Sequence, residues 1–181
     1  MKMKVFAILA FCASQALTQS AFASDGTMTI NGKITAATCV VSGNGAATGT
    51  FTLTLPTVST TALNVAGATA GHTLFNIALS ACSTPSQLVH TYFEAASTAD
   101  AVTGRLYNAA SATATNVEVA LMNKDRTAIL VGFPDSTQNS NAITTVSNAG
   151  TMYYIAAYYA NGGASTAGTV ASTVSYSVVY P

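Results

Sequence analysis

The chain has 181 residues, enough for one domain of ordinary size, and its six basic residues balance its six acidic ones. Only 7% of the residues are charged, whereas soluble domains have about a quarter. So few cations offer no patch for nucleic acid or anionic lipid, and a surface so poor in charge suits contact with other subunits.

Residues 1–23 have the pattern of a secretory signal peptide. Two lysines precede an apolar run at residues 5–13 that is too short to span a bilayer. The Ala-Phe-Ala sequence at 21–23 has the small-x-small pattern that signal peptidase accepts. We predict cleavage before Ser24, with Asp25 as the alternative first residue. Two of the six basic residues leave with the peptide, so four basic and six acidic residues remain and the net charge becomes −2.

The first apolar pattern of the mature chain is an alternating one. Met28, Ile30 and Ile34 alternate with polar residues, and Gly32 occupies the remaining position of the same register. This period-two pattern predicts a β-strand with one apolar face. The strand is either the first strand of the chain's own sheet or an extension that docks into another subunit. Gly32 weakly favours the extension, because a glycine within a strand is costly unless another group approaches closely there.

Two cysteines remain after cleavage. Cys39 and Cys82 form an even pair in a chain bound for an oxidising compartment, so we predict a disulfide between them. The chain has two histidines and no Cys-x-x-Cys spacing, so no metal site is expected, and no motif for a cofactor is found.

Period-two alternation continues along the chain, and helical periodicity is scarce. The predicted strands cover residues 28–36, 50–55, 74–79, 88–95, 117–122, 128–131, 152–160 and 170–180. Turn-forming residues separate them, and residues 62–70, which are rich in small side chains, are predicted as a loop or a short helical turn. Many short strands with regular turns favour an all-β Greek-key sandwich in one domain.

The last predicted strand has one apolar face. Val170, Val174, Tyr176, Val178 and Tyr180 share that face, opposite a mostly polar one. An alternating apolar face must be buried against something. By itself the pattern fits an ordinary last strand of the sandwich as well as a strand that needs a partner from elsewhere.

Six stretches of the chain match one known family in the same order. They are residues 27–34 with Cys39, 74–79 before Cys82, 114–119, 125–127, 153–161 and 168–180. Gly168 is fourteenth from the end and Tyr180 is penultimate, as in that family. Together these stretches resemble the type 1 class of major pilins, which the chaperone–usher pathway assembles, over essentially the whole mature chain.

The resemblance implies an incomplete immunoglobulin-like sandwich that lacks its last strand. Residues 24–36 are then an N-terminal donor strand, which fills the groove of a neighbouring copy, and residues 37–181 are the pilin domain. The residues expected to face into that groove from the donor strand are Met28, Ile30, Gly32 and Ile34. The residues expected to border the acceptor groove and meet a chaperone are Gly168, Val174, Tyr176, Val178 and Tyr180.

The resemblance also implies partners and a destination. The expected partners are neighbouring copies of the chain in a homopolymer, a periplasmic chaperone and an outer-membrane usher. Nucleic acid and direct membrane insertion are not expected. The expected product is a surface filament, a fimbria, whose subunits are exported through the periplasm. Completion of one pilin by a strand of another is a known case of β-augmentation.

We expect a structural subunit and not an enzyme, because no pattern of nucleophile, base and acid or of paired carboxylates stands out. One alternative is a minor or adaptor subunit of the same pilus. Another is a secreted carbohydrate-binding sandwich, for which the tyrosine pairs at 153–154 and 158–159 give a slight hint of sugar stacking. Deletion of residues 24–34 separates the two classes, since a lectin-like module would remain a folded, ligand-binding monomer.

Overall fold

The structure is a computed structural model. It describes residues 28, 29, 32, 34, 36, 38–95 and 97–181. The chain divides into two units, Met1–Ile34 and Thr35–Pro181, and the sandwich lies within the second. The predicted signal peptide and Ile30 lie outside the described residues. The residues described between 28 and 36 are not assigned to a strand.

In the described part of the chain, nine strands and two short helical segments follow one another. They are β1 (Val40–Gly43), a 3₁₀ turn (Thr60–Leu63), β2 (Thr69–Ser80), β3 (Leu88–Phe93), β4 (Leu106–Tyr107), β5 (Val117–Asn123), β6 (Ala128–Ile129), α1 (Asp135–Gln138), β7 (Ile143–Thr144), β8 (Gly150–Ala160) and β9 (Tyr176–Val179). The predicted all-β class is therefore confirmed.

The strands form two antiparallel sheets. The larger sheet has the order β1-β2-β8-β5-β4, with β6 also paired to β5, and the smaller has the order β7-β3-β9. Strands β2 and β8 are the longest and lie side by side in the larger sheet, where Leu74 pairs with Ile155. Strand β9 pairs only with β3 among the described strands, so its other edge is open.

The core fills the space between the sheets, and the alternation of the strands decides which residues enter it. Every second residue of β2, β3, β5 and β8 points inward, as a pleated strand requires. The core residues from these four strands are Phe75, Ile77, Leu79, Val89, Phe93, Val119, Leu121, Met152, Tyr154 and Ala156. The buried side chain of Gln138 pairs with the backbone at the end of β3. It accepts a hydrogen bond from the Phe93 amide (2.7 Å) and donates one to the Phe93 carbonyl (2.8 Å).

The predicted disulfide is present. Cys39 precedes β1 and Cys82 follows β2, and their sulfur atoms are 2.07 Å apart. Because Val40 pairs with Ser80 in the ladder, the bridge closes the end of a pair of neighbouring strands. It thereby fixes β1, a strand of only four residues at the edge of its sheet.

Three predicted strands of the described domain differ in the structure, and the one predicted at 128–131 is shortened to β6 (Ala128–Ile129). Residues 50–55 are extended and alternate in burial but have no ladder partner, and the strand predicted at 170–180 is reduced to β9. Assignment to a strand needs a hydrogen-bonded neighbour, which alternation alone does not supply. The short strands β1, β4 and β7 were not predicted, because two to four residues are too few to show a period.

A buried ion pair lies on the opposite face of the larger sheet from the core. Arg105 Nε donates to Glu118 Oε2 at 2.6 Å, and Asn161 donates to the other carboxylate oxygen at 2.7 Å. The guanidinium carbon of Arg105 is 3.9 Å from the ring centre of Tyr159. Glu118 is only 3% exposed, so these contacts replace its lost hydration.

Candidate functional site: an open apolar groove

An open groove of about 1200 Å³ runs along the sandwich between two extended segments. We call these segments the first lip (residues 49–55) and the second lip (residues 170–180). Core side chains of both sheets form the floor, among them Phe75, Phe93 and Leu121. Among the described residues that line the groove none is charged. The side chains that line the groove therefore favour an occupant with apolar side chains.

The first lip was predicted as a strand but not as part of a site. Phe51, Leu53 and Leu55 are partly buried and pack against the core, while the threonines between them are exposed. No hydrogen bond between described residues involves the backbone of 51–58. Alternation predicted this segment as a strand, but it could not reveal that the backbone has no partner within the described domain.

The second lip contains most of the predicted groove residues. Val174, Tyr176, Val178 and Tyr180 all line the groove and pack against the core. Desolvation in this setting raises the pKa of Tyr176 above its ordinary value. The structure therefore brings together four of the five residues that the resemblance assigned to the acceptor groove.

Gly168, the fifth predicted residue, has a different position. It is not among the described residues that line the groove. A Cβ atom on Gly168 would lie 2.3 Å from the backbone nitrogen of Ala114, so only glycine allows the two backbones to approach. The neighbouring Thr169 carbonyl accepts from the Ala114 amide at 3.1 Å. Gly168 thus places the start of the second lip against residues 113–114.

The backbone of the second lip forms hydrogen bonds with described residues on one side only. The carbonyl groups of Ala171, Thr173 and Ser175 accept hydrogen bonds from the segment between residues 94 and 109. In an extended chain, alternate residues direct their N–H and C=O groups to opposite sides. Ser172 and Val174 therefore point theirs toward the groove, and no hydrogen bond between described residues involves their backbones. The Ser172 Oγ is also buried without a partner among the described residues.

The predicted donor residues belong to the other unit of the chain. Met28, Gly32 and Ile34 are described and exposed, and Ile30 lies outside the described residues. Met28 and Ile34 are among the large apolar side chains that the molecule exposes most.

Comparison with solved structures defines the class of fold. The chain superposes on a subunit of a chaperone–usher pilus with a TM-score of 0.60 at 16% identity, over 87% of this chain and 96% of that chain. The molecule therefore has the immunoglobulin-like fold of chaperone–usher pilins.

Comparison of sequences then shows the family. The model of the type-1 fimbrial protein A family matches residues 55–181. The chain is 42% identical to the major fimbrial subunit SMF-1 of Stenotrophomonas maltophilia, over 89% of this chain and 95% of that protein. It is 39% identical to the F17 fimbrial protein of Escherichia coli, over 97% of this chain and 96% of that protein. The chain belongs to the type-1 fimbrial protein family, whose members are structural subunits of fimbriae. Within the described residues, no helix is both long and apolar enough to cross a bilayer.

Proposed function

We propose that this chain is the main repeating subunit of a chaperone–usher fimbria and that it polymerises by donor-strand exchange. In this exchange residues 24–36 of one copy fill the groove of the next. The observation that carries the proposal is the unpaired backbone on both lips beside an apolar floor. Unpaired N–H and C=O groups and an apolar slot are both costly, and a strand with one apolar face satisfies both at once.

The N-terminal segment is compatible with the groove in length and chemistry. Residues 28–34 span about 20 Å when extended and residues 170–180 of the second lip about 33 Å, so the lip is long enough to contact the whole segment. Burial of Met28, Ile30 and Ile34 would contribute on the order of 5–8 kcal/mol before the cost of ordering the segment. The polar residues between them remain at the surface of the completed sandwich.

An empty groove also requires protection before assembly. We propose that a strand of a periplasmic chaperone fills the groove temporarily, alongside Val174, Tyr176, Val178 and Tyr180. An outer-membrane usher then exchanges this strand for the N-terminal segment of the next subunit. The predicted signal peptide at residues 1–23 directs the chain to the periplasm, and the assembled fimbria lies at the cell surface.

A full-length mature chain (residues 24–181) tests the exchange directly. The variant Met28→Ser, Ile30→Ser, Ile34→Ser, which we call the acceptor chain, loses the apolar face of its donor segment. After refolding, it should fail to form the polymer ladder of the wild type on a native gel. It should still bind a synthetic peptide of residues 24–36, with a stoichiometry of one by native mass spectrometry.

A matched control replaces the outward residues of the same segment. The variant Thr29→Ser, Asn31→Ser, Lys33→Ser should polymerise like the wild type, because its apolar register is intact. An acceptor chain that polymerises normally, or that is a fully stable monomer without peptide, contradicts donor-strand exchange. Mass spectrometry of sheared surface filaments separates the main subunit from a minor one, since the main subunit dominates the sample.

A further inference from the structure

We propose that Ser83 anchors the link between consecutive subunits of the filament and thereby sets the stiffness of that link. The inference rests on the proposed function and extends it, because it concerns the few residues that join the donor segment to its own domain. In a filament built by donor-strand exchange, these residues are the covalent connection between the filled groove of one copy and the domain of the next.

Ser83 binds the backbone of residues 36–38 through three hydrogen bonds. Its hydroxyl accepts from the Thr38 amide at 3.0 Å and donates to the Ala36 carbonyl at 3.3 Å. Its own backbone amide donates to the Thr38 carbonyl at 2.9 Å. Because a hydroxyl carries both a donor and acceptor sites, one serine fixes the backbone at two positions.

The support beneath Ser83 is itself rigid. The preceding residue, Cys82, is buried and is joined to Cys39 by the disulfide. Its backbone amide donates to the Asn148 carbonyl at 3.0 Å, and its carbonyl accepts from the Asn148 side chain at 2.5 Å. Ser83 therefore ties residues 36–38 to a part of the domain that cannot move with them.

The anchor leaves a very short free link. The apolar register of the donor segment ends at Ile34, and the Ala36 carbonyl is held by Ser83, so only Thr35 lies between the two fixed parts. Without the hydroxyl, the next fixed group is the Thr38 carbonyl, and the free link grows to residues 35–37. At about 3.4 Å per residue, its reach increases from about 3 Å to about 10 Å. Each added residue also contributes two soft dihedral angles, so the link becomes more flexible.

The first test measures the stiffness of filaments. Mature chains (residues 24–181) of the wild type, Ser83→Ala, Ser83→Thr and Ser86→Ala are assembled, and their persistence lengths are read from electron micrographs. Ser83→Ala should polymerise normally but reduce the persistence length at least twofold. Ser83→Thr, which keeps the hydroxyl, should resemble the wild type. So should Ser86→Ala, because Ser86 is an exposed serine of the same turn whose side chain has no hydrogen bond with a described residue.

The second test examines the anchor without polymerisation. Hydrogen exchange of the Thr38 amide is followed by NMR in the acceptor chain saturated with the peptide of residues 24–36, with and without Ser83→Ala. Loss of the hydroxyl should speed this exchange at least tenfold, while the melting temperature changes little because Ser83, Ala36 and Thr38 are all exposed.

The outcomes distinguish the inference from the function on which it rests. Unchanged exchange at Thr38 overturns the anchor. Faster exchange with an unchanged persistence length, or filaments of Ser83→Thr as flexible as those of Ser83→Ala, overturns the role of the hydroxyl in stiffness. Failure of every chain, including the wild type, to polymerise overturns the proposed function, whereas the exchange of Thr38 still decides whether the anchor exists.

Discussion

Removal of the Cys39–Cys82 disulfide should destabilise the subunit by an amount set by the length of the loop that it closes. The bridge joins residues separated by 43 positions, and the chain-entropy model assigns such a loop about 4 kcal/mol. We therefore expect the variant Cys39→Ala, Cys82→Ala to lose about 4 kcal/mol in its free energy of unfolding, which for a domain of this size lowers the melting temperature by about 8–16 °C. Strand β1 should lose protection first, because the bridge closes its end.

The assay is guanidinium unfolding of the acceptor chain saturated with the peptide of residues 24–36, with and without the double substitution. Hydrogen exchange at the β1 amides then reports whether that strand frays. The wild-type cysteines under a reductant provide the matched control and should behave like the double variant. A loss below about 1 kcal/mol in the free energy of unfolding, with an unchanged dependence on denaturant concentration, would contradict this reasoning. It would show that the bridge does not stabilise the domain by restricting the unfolded chain.

Two further predictions concern charged groups of the described domain. Arg105→Met should lower the free energy of unfolding by about 3–5 kcal/mol, because it leaves the buried Glu118 carboxylate unpaired. Adding Glu118→Gln should recover part of that loss in chemical denaturation, and a double variant no better than the single one would contradict the reasoning. Hydrogen bonds from the side chain and backbone of Thr127 hold the pKa of Asp125 below its usual value. The stability advantage of the wild type over Asp125→Ala should therefore be largest above about pH 4 and shrink as the pH falls through that lowered pKa. Thermal melts between pH 2 and pH 6 check this, and an advantage that is undiminished at pH 2 would count against it.

The sequence pattern alone predicted the long strands that pair with other strands of the same domain. The long strands β2, β5 and β8 were predicted from alternation, since each has enough residues to show the period. The pairing of Cys39 with Cys82 followed from their number and the predicted export. Strand β4 and strand β7 have two residues each and exist because a neighbouring strand offers them hydrogen bonds, so no local pattern could reveal them.

The groove shows the limit of local patterns most clearly. Residues 50–55 and 170–180 were both predicted as strands because they alternate, and alternation reports burial of one face. It does not report whether the backbone edge has a partner, which is the property that makes these segments lips of a groove. Gly168 had been assigned to the groove from the resemblance, and the structure places it against residues 113–114, where a backbone approaches too closely for a side chain.

The order of residues along the chain was enough to predict export, an all-β domain with one disulfide and a pilin-like pattern, because composition, period and motif order are local properties. The existence of two lips with unpaired edges, and of a tyrosine that spans them, was decided only by the tertiary structure. Tyr176 and Gly49 are far apart in the sequence, and only the packing of the two sheets brings the hydroxyl of one to the carbonyl of the other.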